Sequence, residues 1–217
     1  MKDSRERLII FTRYPEPGVT KTRLIPILGK KGAANLQKKM TQEVVKIARQ
    51  LEINRKISLE IRYDGGNIEL MKKWLGHDLI YNEQGPGNLG KRMNRALMDG
   101  FQKENKKVVI IGGDVPSITT SLLNRSFEVL DKNDLVLGPA EDGGYYLIGL
   151  NKDVGEKSVY PLFQDVKWGT DSVLEKTIRI SEELGISKAI LYRLGDIDRP
   201  EDLNRCHELV KDIISAK

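Results

Sequence analysis

Cysteine and aromatic residues are scarce in this chain of 217 residues. Cys206 is the only cysteine, which excludes an internal disulfide and any zinc site built on cysteines. Its helical spacing among apolar residues is typical of a small core residue rather than a nucleophile. Aromatic residues make up 6% of the chain and form no run interleaved with arginine, which argues against binding of single-stranded nucleic acid.

Long apolar runs are also absent. No stretch approaches the roughly 20 apolar residues that a membrane span needs, and the charged residues 1–7 lack the apolar core of a signal peptide. We therefore expect a cytoplasmic protein without a membrane span. The 36 Lys and Arg residues and the 31 Asp and Glu residues are scattered along the chain, giving a net charge of +5. This pattern favours small anionic ligands over a nucleic-acid partner.

Short β-branched runs alternate with segments of helical period along the chain. This alternation predicts an α/β fold, a three-layer α/β/α sandwich with a mostly parallel sheet, in which ligands bind at the carboxyl edge of the strands. No repeat or linker interrupts the pattern, so we expect one domain over residues 1–217. The predicted strands are 8–11, 57–63, 79–81, 107–111, 134–137, 145–150 and 189–194, and the predicted helices are 33–51, 89–101, 122–130, 173–184 and 203–213.

The loop after the first predicted strand carries three fixed positive charges, Arg13, Lys21 and Arg23. Prolines stiffen this loop, and Gly18 allows the backbone to approach a ligand closely. Arginine can bind two phosphate oxygens at once, and lysine adds a point charge. The loop therefore predicts a polyphosphate site, although an ordinary basic surface loop would share these residues. It is not a Walker loop, because no Gly-x-x-x-x-Gly-Lys-Ser/Thr occurs.

Carboxylates follow two of the predicted strands. Asp114 lies on a glycine-rich turn, where it is suited either to bind a divalent cation or to cap the next helix. Asp196 and Asp198 alternate, so both project to the same side of an extended chain and repel each other unless a cation lies between them. Asp198 is equally suited to cap the last helix. The pattern predicts a Mg²⁺ or Mn²⁺ site.

Two further segments carry polar or aromatic groups near predicted strand ends. Residues 138–146 join two strands through paired glycines, which either expose backbone amides to a ligand or form a hairpin turn. Trp168 is suited to stack on a base, to cover an acceptor pocket or to fill the core. Arg92 lies at the start of a predicted helix, where it faces either a phosphate or solvent.

Taken in order, these motifs resemble the glycosyltransferase A-type superfamily, whose members include many proteins described as nucleotide-diphospho-sugar transferases. The chain is also similar to the phospholactate and phosphoenolpyruvate guanylyltransferases, whose first loop likewise ends in Lys-x-Arg-Leu. The resemblance covers residues 8–203, nearly the whole chain. Two positions depart from the family pattern: Gly113 stands where threonine is common, and Gly169 stands where serine is more usual.

The resemblance assigns expected roles to individual residues. The nucleotide would be bound by Arg13, Pro17, Gly18, Lys21, Arg23, Gly87, Leu89 and Arg92. The acceptor would be bound by Asp142, Gly143, Gly144, Tyr145, Trp168 and Thr170. The metal would be held by Asp114, Asp196 and Asp198.

The expected activity is metal-dependent nucleotidyl transfer from a nucleoside triphosphate to a small phosphorylated acceptor. Lys21, Arg23 and Asp114 would be the catalytic residues. The first alternative is a glycosyltransferase that uses a nucleotide-diphospho-sugar, and the second is a nucleotide sensor without catalytic activity. The sequence determines neither the base nor the acceptor, and it leaves the choice of metal and the oligomeric state open.

Overall fold

The structure, a computed structural model, describes residues 5–154 and 159–206. The β-branched runs of the sequence form strands, which are β1 (Glu6–Arg13), β2 (Ile57–Asp64), β3 (Ile80–Glu83), β4 (Lys107–Gly112), β5 (Leu135–Pro139), β6 (Tyr145–Asn151) and β7 (Lys188–Ile190). The segments of helical period form α1 (Ile25–Asn54), α2 (Ile68–Leu75), α3 (Leu89–Gln102), α4 (Thr120–Val129) and α5 (Val173–Glu183). Short 3-10 helices cover Thr22–Leu24, Lys152–Val154, Tyr160–Phe163 and Pro200–Cys206.

The strands form one seven-stranded sheet in the order β3-β2-β1-β4-β6-β5-β7. Every neighbouring pair is parallel except those of β6, which runs antiparallel to both β4 and β5. The prediction of an α/β fold with a mostly parallel sheet is therefore confirmed. Because β5 and β6 are adjacent and antiparallel, the glycine-rich segment between them is a hairpin turn.

Helices cover both faces of the sheet. Along β1, Leu8 and Ile10 point to one face, while Ile9 and Phe11 point to the other. The first face packs against α1, α2 and α4, and the second packs against α3, α5 and the 3-10 helix Tyr160–Phe163. Both faces of the central strands are therefore apolar, as expected for a parallel sheet covered on two sides.

Two helical segments differ from the sequence prediction. Helix α2 was not predicted, although Asn67 caps it by accepting a hydrogen bond from the Leu70 amide at 3.0 Å. The predicted helix 203–213 begins in the 3-10 helix Pro200–Cys206. Residues 207–213 and the side chain of Cys206 lie outside the described residues, so the predicted core position of Cys206 remains a prediction.

None of the helices in the described part of the chain has both the length and the apolar character that crossing a membrane requires.

Candidate active site

A cavity of about 390 Å³ opens at the carboxyl ends of β1 and β4. Parallel strands end at the same edge, which places Thr12 and Arg13 of β1 beside Asp114, two residues after β4. Because β6 runs in the opposite direction, its first residue, Tyr145, lies at this edge as well. The reversal of one strand therefore brings the hairpin to the cavity.

Lys21 holds the first loop against two aspartates. Its Nζ donates to Oδ2 of Asp114 at 2.9 Å and to Oδ1 of Asp198 at 3.4 Å. The side chain is only 7% exposed. Burial alone would lower the pKa of Lys21, but the charges of Asp114 and Asp198 outweigh burial and raise the pKa above its usual value. The ammonium group therefore stays charged.

The backbone of Lys21 has a left-handed conformation, with φ 50° and ψ 48°. This conformation is uncommon for a residue other than glycine and carries a small cost in free energy. The two ion pairs of the side chain offset that cost. The unusual conformation thus lies at the residue that joins the first loop to the carboxylates.

Asp198 is bound by cations rather than used as a helix cap. Arg23 donates to Oδ2 of Asp198, opposite the contact with Lys21. Burial acts to raise the pKa of Asp198, but Lys21 and Arg23 lower it below its usual value. The amides of Asp198 and Arg199 donate instead to Oδ2 of Asp202, at 3.1 Å and 2.7 Å. The capping alternative for Asp198 is therefore wrong, because its two carboxylate oxygens accept from Lys21 and Arg23 and from no amide of the described helix Pro200–Cys206.

Asp114 does not cap the following helix either. The side chain of Thr119 caps α4 by accepting from the Leu122 amide at 3.1 Å. The Asp114 carboxylate is left to bind Lys21 and to line the cavity.

Asp196 lies in a crowded acidic environment. Burial, followed by the negative charges of Asp114 and Asp142, raises the pKa of Asp196 to about 6. All three carboxylates line the cavity. Crowding of this kind is relieved when a cation binds.

A divalent cation fits part of the predicted donor set. Across residues 5–154 and 159–206, no group of three or more His, Cys, Asp or Glu residues is arranged to hold a metal. Asp198 binds Lys21 and Arg23 and is not part of the cavity lining, whereas Asp114, which also binds Lys21, and Asp196 line the cavity. Mg²⁺ commonly binds one or two carboxylates, with water and substrate phosphates completing its shell. Two carboxylates therefore suffice, and the predicted three-aspartate site remains a prediction.

The other cations of the site also have acidic partners. Arg13 pairs with Asp64 at 2.7 Å, and Arg92 approaches the same carboxylate at 3.3 Å. Burial acts to raise the pKa of Asp64, but the two arginines lower it below its usual value. Nη1 of Arg92 also donates to Oε1 of Gln84 at 3.2 Å. Arg92 therefore faces the cavity rather than solvent, and its partners Asp64 and Gln84 were not predicted.

The hairpin contributes Asp142, Gly144 and Tyr145 to the cavity, and their assignment to the acceptor remains a prediction. Gly143 is not part of the cavity lining. Its α-carbon packs against the backbone before α5, since a β-carbon there would lie 2.1 Å from the Asp171 carbonyl oxygen. Gly143 therefore lets the hairpin approach α5, and its assignment to the acceptor remains a prediction.

Trp168 forms one wall of the cavity and also fills the core. Its ring stacks on Phe163 and meets Tyr145 edge to face, each at a centroid distance of 6.3 Å. The indole packs on the start of α3, where a β-carbon on Gly90 would lie 2.5 Å from Trp168 Cζ2. Burial raises the pKa of the Tyr145 hydroxyl well above its usual value. This wall is therefore rigid, aromatic and uncharged, and Thr170 lines the cavity beside it.

The remaining predicted residues lie at different distances from the cavity. Leu89 lines it, whereas Pro17, Gly18 and Gly87 do not. Lys21 and Arg23 are also outside the lining and reach the site through Asp114 and Asp198. Their assignment to the nucleotide remains a prediction.

Gly113 packs closely against the side chains of Thr12 and Thr41, which leave little room for a β-carbon. A β-carbon there would lie 3.0 Å from Oγ1 of Thr41 and 3.1 Å from Cβ of Thr12. Thr41 belongs to α1, as does Gln37, which lines the cavity. Neither residue was predicted, because both belong to a helix whose apolar spacing indicated only core packing.

The family model described as "Uncharacterized protein conserved in bacteria (DUF2064)" matches residues 46–170, more than half of the chain. The chain belongs to this family. The 2-phospho-L-lactate guanylyltransferase of Methanocaldococcus jannaschii is 27% identical over 185 residues, which cover 84% of this chain and 75% of that protein.

Solved structures show the same fold. A crystal structure from Desulfovibrio desulfuricans G20, assigned as a nucleotide-diphospho-sugar transferase, aligns with a TM-score of 0.84 and 28% identity, covering 97% of this chain and 98% of that one. The 4-diphosphocytidyl-2C-methyl-D-erythritol synthase of Anaerococcus prevotii aligns with a TM-score of 0.62 and 12% identity, covering 96% and 99% of the two chains. The resemblance inferred from the motifs is therefore confirmed.

Proposed function

We propose that this protein is a metal-dependent transferase that moves a nucleoside monophosphate from a nucleoside triphosphate to a small phosphorylated acceptor. The observation that carries the proposal is the position of Lys21, whose buried ammonium group bridges Asp114 and Asp198 beside the cavity. A transferase of this kind needs a fixed cation and a metal-binding carboxylate next to the reacting phosphates.

The charges around the cavity support a metal. Four carboxylates line it, those of Asp64, Asp114, Asp142 and Asp196, against the two guanidinium groups of Arg13 and Arg92. These carboxylates would repel a polyphosphate that carries no metal ion, whereas Mg²⁺ or Mn²⁺ bound to the nucleotide would offset that repulsion with its positive charge. Asp114 and Asp196 would hold the ion. When bound, such an ion polarises the phosphoryl group and neutralises charge on the transferred phosphate.

Lys21 and Arg23 would bind the pyrophosphate leaving group. In the structure both donate to carboxylates, so both side chains are already oriented toward the same edge of the sheet. Exchanging a carboxylate partner for a phosphate oxygen keeps each cation hydrogen-bonded throughout. Cations fixed before the reaction stabilise developing charge without further reorganisation. The chain then needs no covalent nucleophile, because it holds the reactants in line.

The acceptor would enter between the hairpin and Trp168. The hydroxyl of Thr170 and the start of α5 lie at this end, where the positive end of the helix dipole favours a phosphate group, although the Leu174 amide there already donates to the Gly143 carbonyl oxygen at 2.9 Å. We also assign the catalytic function to one domain over residues 1–217, since the described strands form a single sheet and both halves of the chain supply cavity residues.

A glycosyltransferase is the second candidate. It is favoured by the alignment with the Desulfovibrio protein, which extends over 97% of this chain. The guanylyltransferase relative and the two cations of the first loop support nucleotidyl transfer. A nucleotide sensor, the third candidate, would bind the same donors without turnover.

The products distinguish these candidates. The protein is incubated with Mg²⁺ or Mn²⁺, a panel of small phosphorylated acceptors and either nucleoside triphosphates labelled at the α-phosphate or nucleotide-diphospho-sugars. We expect pyrophosphate release and transfer of the α-label to an acceptor. Release of a nucleoside diphosphate from a nucleotide sugar would instead identify a glycosyltransferase, and tight binding without any product would identify a sensor.

A further inference from the structure

Three polar side chains form a buried cluster under the turn that carries Asp114. They are Thr12 at the end of β1 and Gln37 and Thr41 on α1, with exposed fractions of 5%, 4% and 0%. Oγ1 of Thr41 lies 2.9 Å from Oγ1 of Thr12 and 2.9 Å from the Gly113 carbonyl oxygen. Nε2 of Gln37 lies 3.0 Å from Oγ1 of Thr41.

The directions of these hydrogen bonds follow from the chemistry of the groups. A carbonyl oxygen can only accept, so the single hydroxyl hydrogen of Thr41 is donated to Gly113. Thr41 must then accept from both of its other neighbours. Gln37 therefore turns its NH₂ group toward Thr41, and Thr12 donates its hydroxyl hydrogen to Thr41. The network thus fixes which end of the Gln37 amide faces the threonines.

The other end of the amide, Oε1 of Gln37, remains to be accounted for. Of the residues that the structure describes, none donates a hydrogen bond to this oxygen, and Gln37 lines the cavity. An amide oxygen at a mostly buried position is a hydrogen-bond acceptor with fixed orientation. A ligand that fills the cavity must either supply a donor or leave this oxygen unpaired.

We infer that Gln37 is a specificity-determining residue, whose Oε1 accepts a hydrogen bond from an N–H or O–H group of the bound nucleotide. This inference rests on the proposed function, since it assumes that a nucleotide occupies the cavity. The donor is either an amino group of the base or a hydroxyl group of the ribose. A nucleotide that lacks the donor would leave Oε1 buried and unpaired, which lowers affinity about 5- to 100-fold.

Matched nucleotides distinguish the two donors. Isothermal titration calorimetry with Mg²⁺ compares GTP with ITP, ATP with purine riboside triphosphate, and CTP with pyrimidin-2-one riboside triphosphate. In each pair the second nucleotide lacks the amino group that the base of the first one carries. The 2′-deoxy and 3′-deoxy forms of GTP, ATP and CTP test the ribose. We expect the wild-type protein to lose about 5- to 100-fold in affinity for one kind of analogue.

Variants then assign that discrimination to Gln37. Gln37→Met keeps a long side chain but removes the acceptor, so it should bind the parent nucleotide and the analogue within about 2-fold of each other. Gln42→Met makes the same change at an exposed position of α1 and should keep the wild-type ratio. Thr41→Val removes the hydroxyl that orients Gln37 and should reduce the ratio, whereas Thr41→Ser should keep it.

The outcomes separate this inference from the proposed function. If a nucleotide binds and Gln37→Met discriminates its analogues as the wild type does, Gln37 does not read the nucleotide. The same conclusion follows if Gln37→Met weakens every nucleotide equally, because Gln37 would then act only through the Gly113 turn. If the wild-type protein binds none of these nucleotides, both the inference and the proposed function are wrong. Thermal melting of each variant excludes unfolding, and the Thr41 pair decides the question if Gln37→Met does not fold.

Discussion

Two clusters of paired charges, similar in composition, lie in different surroundings. The buried cluster comprises Arg7, Glu60 and Arg62, whose side chains are 6%, 0% and 3% exposed, and it is completed by Asn82 and Asp99. The site cluster comprises Lys21, Arg23, Asp114 and Asp198. Its two carboxylates are 33% and 35% exposed.

The two clusters contain the same kinds of ion pairs, but their different burial gives them different roles. In the buried cluster, Glu60 accepts from Arg7 at 2.7 Å, from Asn82 at 3.0 Å and from Arg62, so this buried carboxylate is compensated by neighbours that water cannot replace. In the site cluster, water and ligands can reach the carboxylates. Breaking the buried cluster should therefore reduce stability, whereas breaking the site cluster should reduce ligand binding.

The largest effect is expected from removing the cations of the site cluster. In the double variant Lys21→Ala with Arg23→Ala, nucleoside triphosphate affinity should fall by about 1.5–3 kcal/mol for each charged hydrogen bond lost. Monophosphate affinity should fall far less, because the outer phosphates are missing. Titration calorimetry measures both.

The matched control replaces Lys46 and Arg125 by alanine, since these cations are exposed and form only local ion pairs on helices. An equal loss for triphosphate and monophosphate would show that the first loop does not contact the outer phosphates.

The next effect concerns the buried cluster. Glu60→Ala removes the carboxylate that pairs with the buried guanidinium group of Arg7 and leaves Arg62 with Asp99 alone, which should lower the free energy of unfolding by about 3–5 kcal/mol. Urea denaturation measures the change. Glu43→Ala breaks an exposed pair with Lys46 and should cost less than about 0.5 kcal/mol. Equal losses in the two variants would show that burial does not set the stability cost of breaking these ion pairs.

Asp196 should show a smaller effect that depends on pH. Its pKa is raised to about 6 in the folded protein against an ordinary value of 3.8, so the folded state binds more protons between these values. Stability is then fully present below about pH 4 and falls as pH rises through 6. Asp196→Asn removes that loss and should raise the free energy of unfolding by about 1–2 kcal/mol at pH 8, after allowance for its partial exposure.

Urea denaturation in the presence of a chelator tests this at pH 4 and pH 8. Asp153→Asn, at an exposed position, is the control. A gain of the same size at both pH values would mean that the charge of Asp196 is not crowded.

The sequence predicted the central strands well because β-branched runs buried on both faces have few alternatives. The last predicted strand, 189–194, was wrong at its end, since β7 covers only Lys188–Ile190 and is partly exposed. It did not predict the reversal of β6, since the residues of a buried strand do not specify its direction. The charged residues in the loops after two predicted strands also indicated Lys21 and Asp114 as candidate site residues. Their direct ion pair was not predicted, because it joins residues 93 positions apart.

The polar partners of the site were missed for a related reason. Asp64 ends β2 and Asp114 lies two residues after β4, so a carboxylate at the end of a buried run was the available signal for both. Gln37 and Thr41 gave no such signal, because a polar residue within a long helix usually faces solvent. Their burial depends on where α1 packs against the turn after β4, which is a tertiary contact.

The most direct test of the account is the binding of GTP to wild-type protein and to Asp114→Asn, with and without Mg²⁺. The substitution keeps the size of the side chain and removes its charge. The account predicts that Mg²⁺ strengthens nucleotide binding to the wild type, that Asp114→Asn loses this dependence, and that its free energy of unfolding stays within about 1 kcal/mol of the wild type. Equal Mg²⁺ dependence in both proteins would contradict the assignment of Asp114 as a metal ligand.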